Sequence, residues 1–399
     1  MELILHGFSP FELIHPFATL KLGCYLTCPR GLEEITSSDI APYCEDVKAE
    51  EGGVSFSGDL KSLYSVNYQS RTGMYALIKI CEFSVKNNSD LYHKVTEYPW
   101  FEWMAHDTPL SIRSRGKSKV FPNPQFLTLK VKDAIVDNIR RKTRRRPDID
   151  KENPIYSLFV FVDKNRVGIY LNSSGVSLSK RGYREKVHKA SLNEALAAGL
   201  VLLSGWKPHQ PFYDPMCGSG TIPIEAAMIG RNLPGGYYRK EYGFQKWKNY
   251  NPRIWNTIVK EAREKILTGG RLRIYGSDNV GANIDLASKN IRKILMKQWI
   301  KISKEEFCDF SPSEDGGVVI MNPPYGQRLS EEEQLKPLYE LIGDIFKQKC
   351  VNMDAFVFTG NQNLSKLIGL KAKRRYMLKN GKIDCRFIHF PIREGNYVG

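Results

Sequence analysis

A chain of 399 residues, 42% of them hydrophobic, exceeds what one hydrophobic core usually supports, so two or three domains are expected. Lys and Arg outnumber Asp and Glu by 59 to 43, giving a formal net charge of +16 that suits a polyanionic partner such as nucleic acid. Eight cysteines without a repeated paired spacing support neither a zinc site nor a disulfide framework, and no basic leader or long apolar run points to secretion or a membrane, so a soluble, cytoplasmic, metal-free protein is expected.

After residues 1–19, which carry no assigned element, a strand is predicted at 21–26, then a turn and helix around 29–35. Strands follow at 52–57 and 76–83, with a helix at 60–67 between them. A strand near 110–114, a helix over 127–143 and strands at 155–163 and 166–172 complete a small α+β region. Its charge is concentrated. Arg113, Arg115, Lys117 and Lys119 surround Gly116, and Arg140, Arg141, Lys142, Arg144, Arg145 and Arg146 fill six of seven consecutive positions. A run that is basic on every side of a helix end must lie in solvent or against anions, so these ten residues are the candidate phosphate contacts. A solvated helix end stabilised by its dipole is the plainer alternative.

Residues 173–187 are polar and rich in turn formers, and read as a linker. Ser191 with Glu194 forms a capping box that starts a helix with Leu192, Ala195, Leu196 and Leu203 on its apolar side. Strands are then predicted at 211–214, 272–275, 299–302, 318–321 and 355–359, alternating with helices at 221–228, 282–294, 335–347 and 363–370. A final hairpin pairs 375–378 with 384–390. Repeated strand and helix units imply a largely parallel sheet covered on both faces, with ligands beyond the carboxyl ends of its strands. The 229–271 insertion, with its aromatic stretch from Phe244 to Trp255, either roofs that ligand site or packs as an added helix.

Two strings sit at such strand ends. Asp214-Pro215-Met216-Cys217-Gly218-Ser219-Gly220-Thr221 lacks both the Gly-Lys-Ser/Thr ending of a phosphate loop and the G-x-G-x-x-G dinucleotide pattern. Gly218 and Gly220 permit a tight turn and clear space for a ligand, and an acidic Asp214 repels phosphate while welcoming the α-ammonium of S-adenosylmethionine. Asp278 ends the second strand, placed to accept both ribose hydroxyls, or alternatively to cap a helix; Asp309 and Phe310 follow the third, placed to take the adenine amine and cover its ring. The second string, Asn322-Pro323-Pro324-Tyr325, offers two carbonyl acceptors, from the Asn322 side chain and the Pro323 backbone, to the N–H groups of an exocyclic base amine. Tyr325 would stack on the flipped base. A cytosine-C5 mechanism would need an attacking thiol, and this string has none.

With Cys28-Pro29-Arg30-Gly31-Leu32-Glu33-Glu34, Lys180-Arg181-Gly182-Tyr183-Arg184, the 214–227 string, Gly276-Ser277-Asp278, the 322–329 string and Asn380-Gly381, the chain resembles the THUMP-containing guanine-N2 RNA methyltransferases. That family includes the N-terminal half of the large-subunit rRNA methyltransferase RlmL and its stand-alone relatives, and the resemblance spans about residues 20–395. It implies an α/β Rossmann-like methyltransferase domain (191–399) with a mostly parallel sheet and a C-terminal antiparallel hairpin. Before it would come a ferredoxin-like part (20–60), a THUMP domain (61–174) and a linker (175–190). The implied cofactor is S-adenosylmethionine, held by Asp214, Met216, Gly218, Gly220, Thr221, Asp278, Asn279, Asp309 and Phe310; Asn322, Pro323 and Tyr325 would meet the target base. Arg328 would approach RNA phosphate or serve in a cap or ion pair. The implied partner is structured RNA, 23S rRNA or a large-subunit precursor. A tRNA guanine-N2 enzyme, a DNA adenine-N6 enzyme and a non-catalytic assembly factor are the competing readings.

Overall fold

The computed structural model describes residues 21–102, 104–116, 118–184, 192–326 and 329–394; expectations placed on residues 1–19, Lys117, Ser191 and Arg328 lie outside these. Among the described residues the strands form two seven-stranded sheets.

The first sheet has the order β2-β3-β1-β4-β7-β6-β5. It contains β1 (Leu22–Thr27), β2 (Glu45–Glu50), β3 (Gly53–Gly58), β4 (Tyr75–Ser84), β5 (Leu110–Arg115), β6 (Tyr156–Asp163) and β7 (Arg166–Asn172). All its pairings are antiparallel except β5 with β6. Four helices accompany it: α1 (Glu33–Ile40), α2 (Leu60–Gln69), α3 (Asn88–Glu97) and α4 (Pro124–Thr143). Because β4 pairs with β1 on one side and β7 on the other, the two N-terminal units share one continuous sheet. Strand β2 and helix α3 are absent from the sequence prediction. The first is an edge strand whose alternation is confined to the half-buried Val47 and Ala49; the second buries only Leu91, Val95 and Thr96 and leaves a weak periodic signal. Helix α4 starts at Pro124, three residues before the predicted start, because Asn123 accepts from the Gln125 N–H and proline is favoured at the first helical position. All the described members of the candidate phosphate-binding set are exposed.

The second sheet has the order β10-β9-β8-β11-β12-β14-β13. Strands β8 (Phe212–Asp214), β9 (Ile274–Asp278), β10 (Ile300–Lys304), β11 (Val318–Met321) and β12 (Asp354–Thr359) are parallel. The hairpin β13 (Arg374–Asn380) and β14 (Ile383–Pro391) closes the edge in the antiparallel sense. Helices α5 (Glu194–Ser204) and α6 (Thr221–Gly230) bury Leu196, Leu200, Ile222 and Ala226 on one face, and α9 (Leu329–Lys349) buries Tyr339, Ile342 and Phe346 on the other. From β8 the chain runs outward through β9 and β10, then returns to start β11 on the opposite side of β8. The strand order therefore reverses between β8 and β11, the place where a doubly wound sheet opens a crevice at its carboxyl ends.

Three segments weld the sheets together. The insertion does not roof the crevice: its helix α7 (Pro252–Glu264) packs on α2, and Phe244 stacks on Tyr64 with centroids 4.2 Å apart. Gly236 donates to the Tyr68 carbonyl (2.8 Å), and Phe244 donates to that of Ser173 (2.9 Å). The turn at residues 29–32 docks on the second sheet. Leu32 is fully buried in the core of that sheet and rests where a side chain on Gly199 would be 2.2 Å away, and Lys379 donates to the Arg30 carbonyl at 3.2 Å.

The third segment, 173–184, is not a solvated linker. Ser173, Ser174, Leu178, Ser179, Arg181 and Tyr183 are buried. Arg239 donates to the carbonyls of Ser174 (2.8 Å), Val176 (2.6 Å) and Ser177 (2.7 Å). Arg181 donates to the carbonyls of Leu178 (3.0 Å) and Arg71 and pairs with Glu225 on α6 (3.5 Å), which also accepts from Tyr183 (3.0 Å). The polar composition reflects a buried hydrogen-bonded seam. Asn193, whose side chain accepts from the Ala195 and Leu196 N–H groups, caps α5. Glu194 pairs with Arg184 at 3.2 Å.

Candidate active site

The crevice between β8 and β11 holds a cleft of about 880 Å³, lined by the 214–219 loop, Thr221, residues 278–280, Asn283, the 305–308 loop, the 322–326 loop and the hairpin turn. Each wall begins where a parallel strand stops. The β8 and β9 ends bring Asp214 and Asp278 to one side, and the β11 end brings Asn322 to the other.

Asp214 is buried, and its Oδ1 accepts from the Met216 N–H at 3.3 Å while Oδ2 has no partner among the described residues. Burial pushes its carboxyl well above the usual range, and the Asp278 charge adds to the effect. Gly218, at φ +53°, has open space where a side chain would stand, so the backbone leaves room for a ligand there. Gly220 makes the tight turn its spacing suggested but does not clear space for a ligand. At φ +80° it lies outside the lining, and a side chain would meet the Ala287 side chain at 3.1 Å, so it serves the approach of α8 (Gly281–Lys293) to the loop.

Asp278 is already engaged. Its Oδ2 accepts from the Gly218 N–H (2.9 Å), and its Oδ1 from the Val280 N–H (3.0 Å) and the Asn283 amide (2.9 Å). A carboxylate offers about four acceptor positions, so three existing bonds leave room for about one ribose hydroxyl, not the expected pair. Asn279 donates to Glu306 at 3.1 Å across the cleft rim.

Asp309 and Phe310 do not line the cleft. Asp309 is exposed, and Phe310 is buried behind the wall, edge-on to Tyr213 and stacked on Phe307. Strand β10 runs to Lys304, paired with Asp278, two residues beyond its predicted end. That extension places Glu305, Glu306, Phe307 and Cys308 in the wall instead. Val280, Asn283, Asn380 and Ile383 also line it and went unassigned from sequence, apart from Asn380 as part of a resemblance.

The Asn322 side-chain oxygen is buried without a partner among the described residues. Around it the loop is held from below. Tyr339 donates to the Pro324 carbonyl at 3.2 Å and lies 2.8 Å from the Thr359 hydroxyl; Asn361 donates to the Tyr325 carbonyl at 3.3 Å. Asn380, in the hairpin turn, donates to the Tyr325 hydroxyl at 2.9 Å, and burial pushes that phenol up against this bond. Arg184 reaches the wall on the Asp214 side by donating to the Thr221 hydroxyl at 2.7 Å.

Two orphaned oxygens, Asp214 Oδ2 and Asn322 Oδ1, therefore belong to residues that line one cleft. The first suits a cationic group and the second an N–H donor. With Asp214, Asp278, Glu305 and Glu306 in its walls, the cleft attracts cations and repels phosphate. This donor and acceptor set, with the space over Gly218, fits S-adenosylmethionine.

The chain matches the RlmL ferredoxin-like domain family over residues 24–74, the THUMP domain over 85–172 and the RMKL-like methyltransferase domain over 181–389. A Synechocystis protein put forward as an RNA methyltransferase is 34% identical over 94% of this chain and 98% of its own length. The Syntrophotalea carbinolica ribosomal RNA large subunit methyltransferase K/L is 34% identical over 94% of this chain, which spans 54% of that protein. A methyltransferase-type crystal structure complexed with S-adenosylhomocysteine superposes with a TM-score of 0.83 at 27% identity, covering 94% of this chain and 99% of that one. Among the described residues no helix is long and apolar enough to cross a membrane.

Proposed function

The chain belongs to the THUMP-containing, RlmL-type methyltransferase family and uses S-adenosylmethionine, and on that footing we propose that it methylates the exocyclic N2 amine of a guanine in 23S ribosomal RNA. The observation that carries this reading is the unsatisfied side-chain oxygen of Asn322, a residue that lines the same cleft as the Asp214 loop.

When bound, the cofactor supplies an electrophilic methyl group. The chain's own residues do the rest. Asp214 accepts from the cofactor's ammonium, Asp278 takes one ribose hydroxyl, and Val280 with Phe307 gives apolar cover at the adenine end. Met216, Thr221 and Asn279 complete that side.

On the other side, Asn322 Oδ1 and the Pro323 carbonyl accept the two N–H groups of the base amine. Their pull localises the nitrogen lone pair towards the methyl donor and favours the positive charge that develops on nitrogen. Tyr325, fixed at its hydroxyl by Asn380 and at its carbonyl by Asn361, presents a ring on which the flipped base stacks. The methylated nitrogen gives up its proton to water after transfer, so no strong base is needed. The N-terminal sheet, with its exposed Arg113, Arg115, Lys119 and the 140–146 run, supplies cations for folded RNA, whose phosphates and shape can be gripped without reading bases.

Labelled cofactor incubated with separately purified, unmodified rRNA and tRNA tests the assignment. N2-methylguanosine in the 23S fraction is expected. Label confined to tRNA would move the substrate, and label on adenine of duplex DNA would overturn the RNA reading.

A further inference from the structure

The catalytic domain carries a second basic surface. Residues 371–386 hold seven cations (Lys371, Lys373, Arg374, Arg375, Lys379, Lys382 and Arg386) against one carboxylate, Asp384. Among the described residues the only ion pair in this stretch is Lys379 with Asp384 at 3.0 Å. Lys371, Lys373, Arg374, Arg375 and Lys382 are exposed, and the Arg386 Nε is buried without a hydrogen-bond partner.

Charges on an edge strand commonly serve only to prevent edge-to-edge pairing. Two features argue for more. Met377 sits between Arg375 and Lys379 on the same side of β13 and opposite Arg386, and is 58% exposed; an uncovered apolar side chain works against edge protection. The strip is also continuous with the active site, since Asn380, Gly381 and Ile383 at the hairpin turn line the cleft and Asn380 holds Tyr325. The cleft walls themselves are acidic, so phosphates flanking a flipped nucleotide must be received outside them. The hairpin offers the cations next to the base-side mouth.

We propose that the β13–β14 hairpin binds the RNA strand immediately flanking the target nucleotide, with Lys373, Arg375 and Lys382 on its phosphates and Met377 against a neighbouring base. This rests on the RNA substrate proposed above.

The test compares the full-length wild type with the triple variant Lys373→Gln/Arg375→Gln/Lys382→Gln, all exposed positions outside the cleft lining. RNA binding is measured across a salt series, methylation kinetics on the same RNA, and cofactor binding by calorimetry. Each lost phosphate contact lowers the slope of log K against log salt by about 0.7 for single strands, so the slope should fall by about 2. KM for RNA should rise while kcat at saturating RNA and cofactor affinity hold. The variant Lys373→Arg/Lys382→Arg should keep the wild-type slope. An unchanged slope and KM in the triple variant, with active wild type, would overturn the hairpin's role and leave the proposed reaction standing. A lowered kcat at an unchanged slope would assign these residues to structure alone. Wild type that methylates no RNA would remove the premise, and the inference with it.

Discussion

Replacing Arg181 by Met tests the seam that joins the two sheets. Arg181 is fully buried, holds the carbonyls of Leu178 and Arg71, and is the cation beside Glu225, a residue of the same helix that begins at the cofactor loop. Its loss leaves the Glu225 carboxylate buried with the Tyr183 hydroxyl at 3.0 Å as its remaining hydrogen bond among the described residues. Breaking one side of a buried pair costs about 3–5 kcal/mol, a large share of the roughly 5–15 kcal/mol that stabilises a typical folded domain. Glu225→Leu alone strands the cation instead, and the double variant removes both charges, so it should recover at least about 2 kcal/mol of the summed single costs. Burial already pushes the Glu225 carboxyl up, against the pull of Arg181 and Tyr183, and without Arg181 it rises further. A carboxyl whose folded value lies above its unfolded value of about 4.3 gives stability that is fully present below that value and lost as pH rises through the folded one. The Arg181→Met deficit should therefore be smaller at pH 5 than at pH 8. Urea unfolding of all four proteins, followed by tryptophan fluorescence and far-UV circular dichroism, measures both effects. Additive single costs, or a deficit identical at the two pH values, would refute a coupled buried charge pair.

Three further outcomes follow from the cleft and its supports. Asp214→Asn removes a carboxyl that burial has raised, so the cofactor-free variant should melt higher than wild type at neutral pH while binding S-adenosylmethionine about 10-fold to 100-fold more weakly, the value of roughly 1.5–3 kcal/mol for a charge-assisted bond. By the same sign argument, wild-type stability without cofactor should fall as pH rises from about 4 through the raised value, while cofactor affinity rises over that window; calorimetry and melting curves over pH check both. Gly31→Ala should cost more than about 1 kcal/mol, because φ is +91° and the new methyl would lie 2.1 Å from the Met377 carbonyl. Since that strand carries Asn380 to Tyr325, turnover should drop with little change in cofactor affinity, as paired kinetic and binding assays on the soluble variant would read.

How much of this is legible in sequence depends on whether a feature is local. The strings 214–221 and 322–325 each lie at the end of a buried apolar strand, so their placement at one crevice follows from the alternation of strands and helices. The wall formed by residues 305–308 does not, because where β10 stops is decided by its pairing with β9 and not by its own polar residues Ser303 and Lys304. Segment 173–184 reads as a linker for the same reason: its serines and arginines are satisfied by Asn67, Glu225 and main-chain carbonyls far away in the chain. Gly218 and Gly220 look alike in sequence, and only the position of Ala287 separates clearance for a ligand from clearance for a helix.

The unsatisfied oxygen of Asn322 is the point on which the proposed chemistry turns. Single-turnover methyl transfer to RNA and calorimetric cofactor binding, measured on one preparation of Asn322→Ala, address it directly. Loss of one preorganised partner of the reacting group should slow transfer by about 10²-fold to 10³-fold while cofactor affinity and RNA affinity stay near wild type. Transfer at the wild-type rate, or a slowing fully explained by lost cofactor binding, would contradict the assignment.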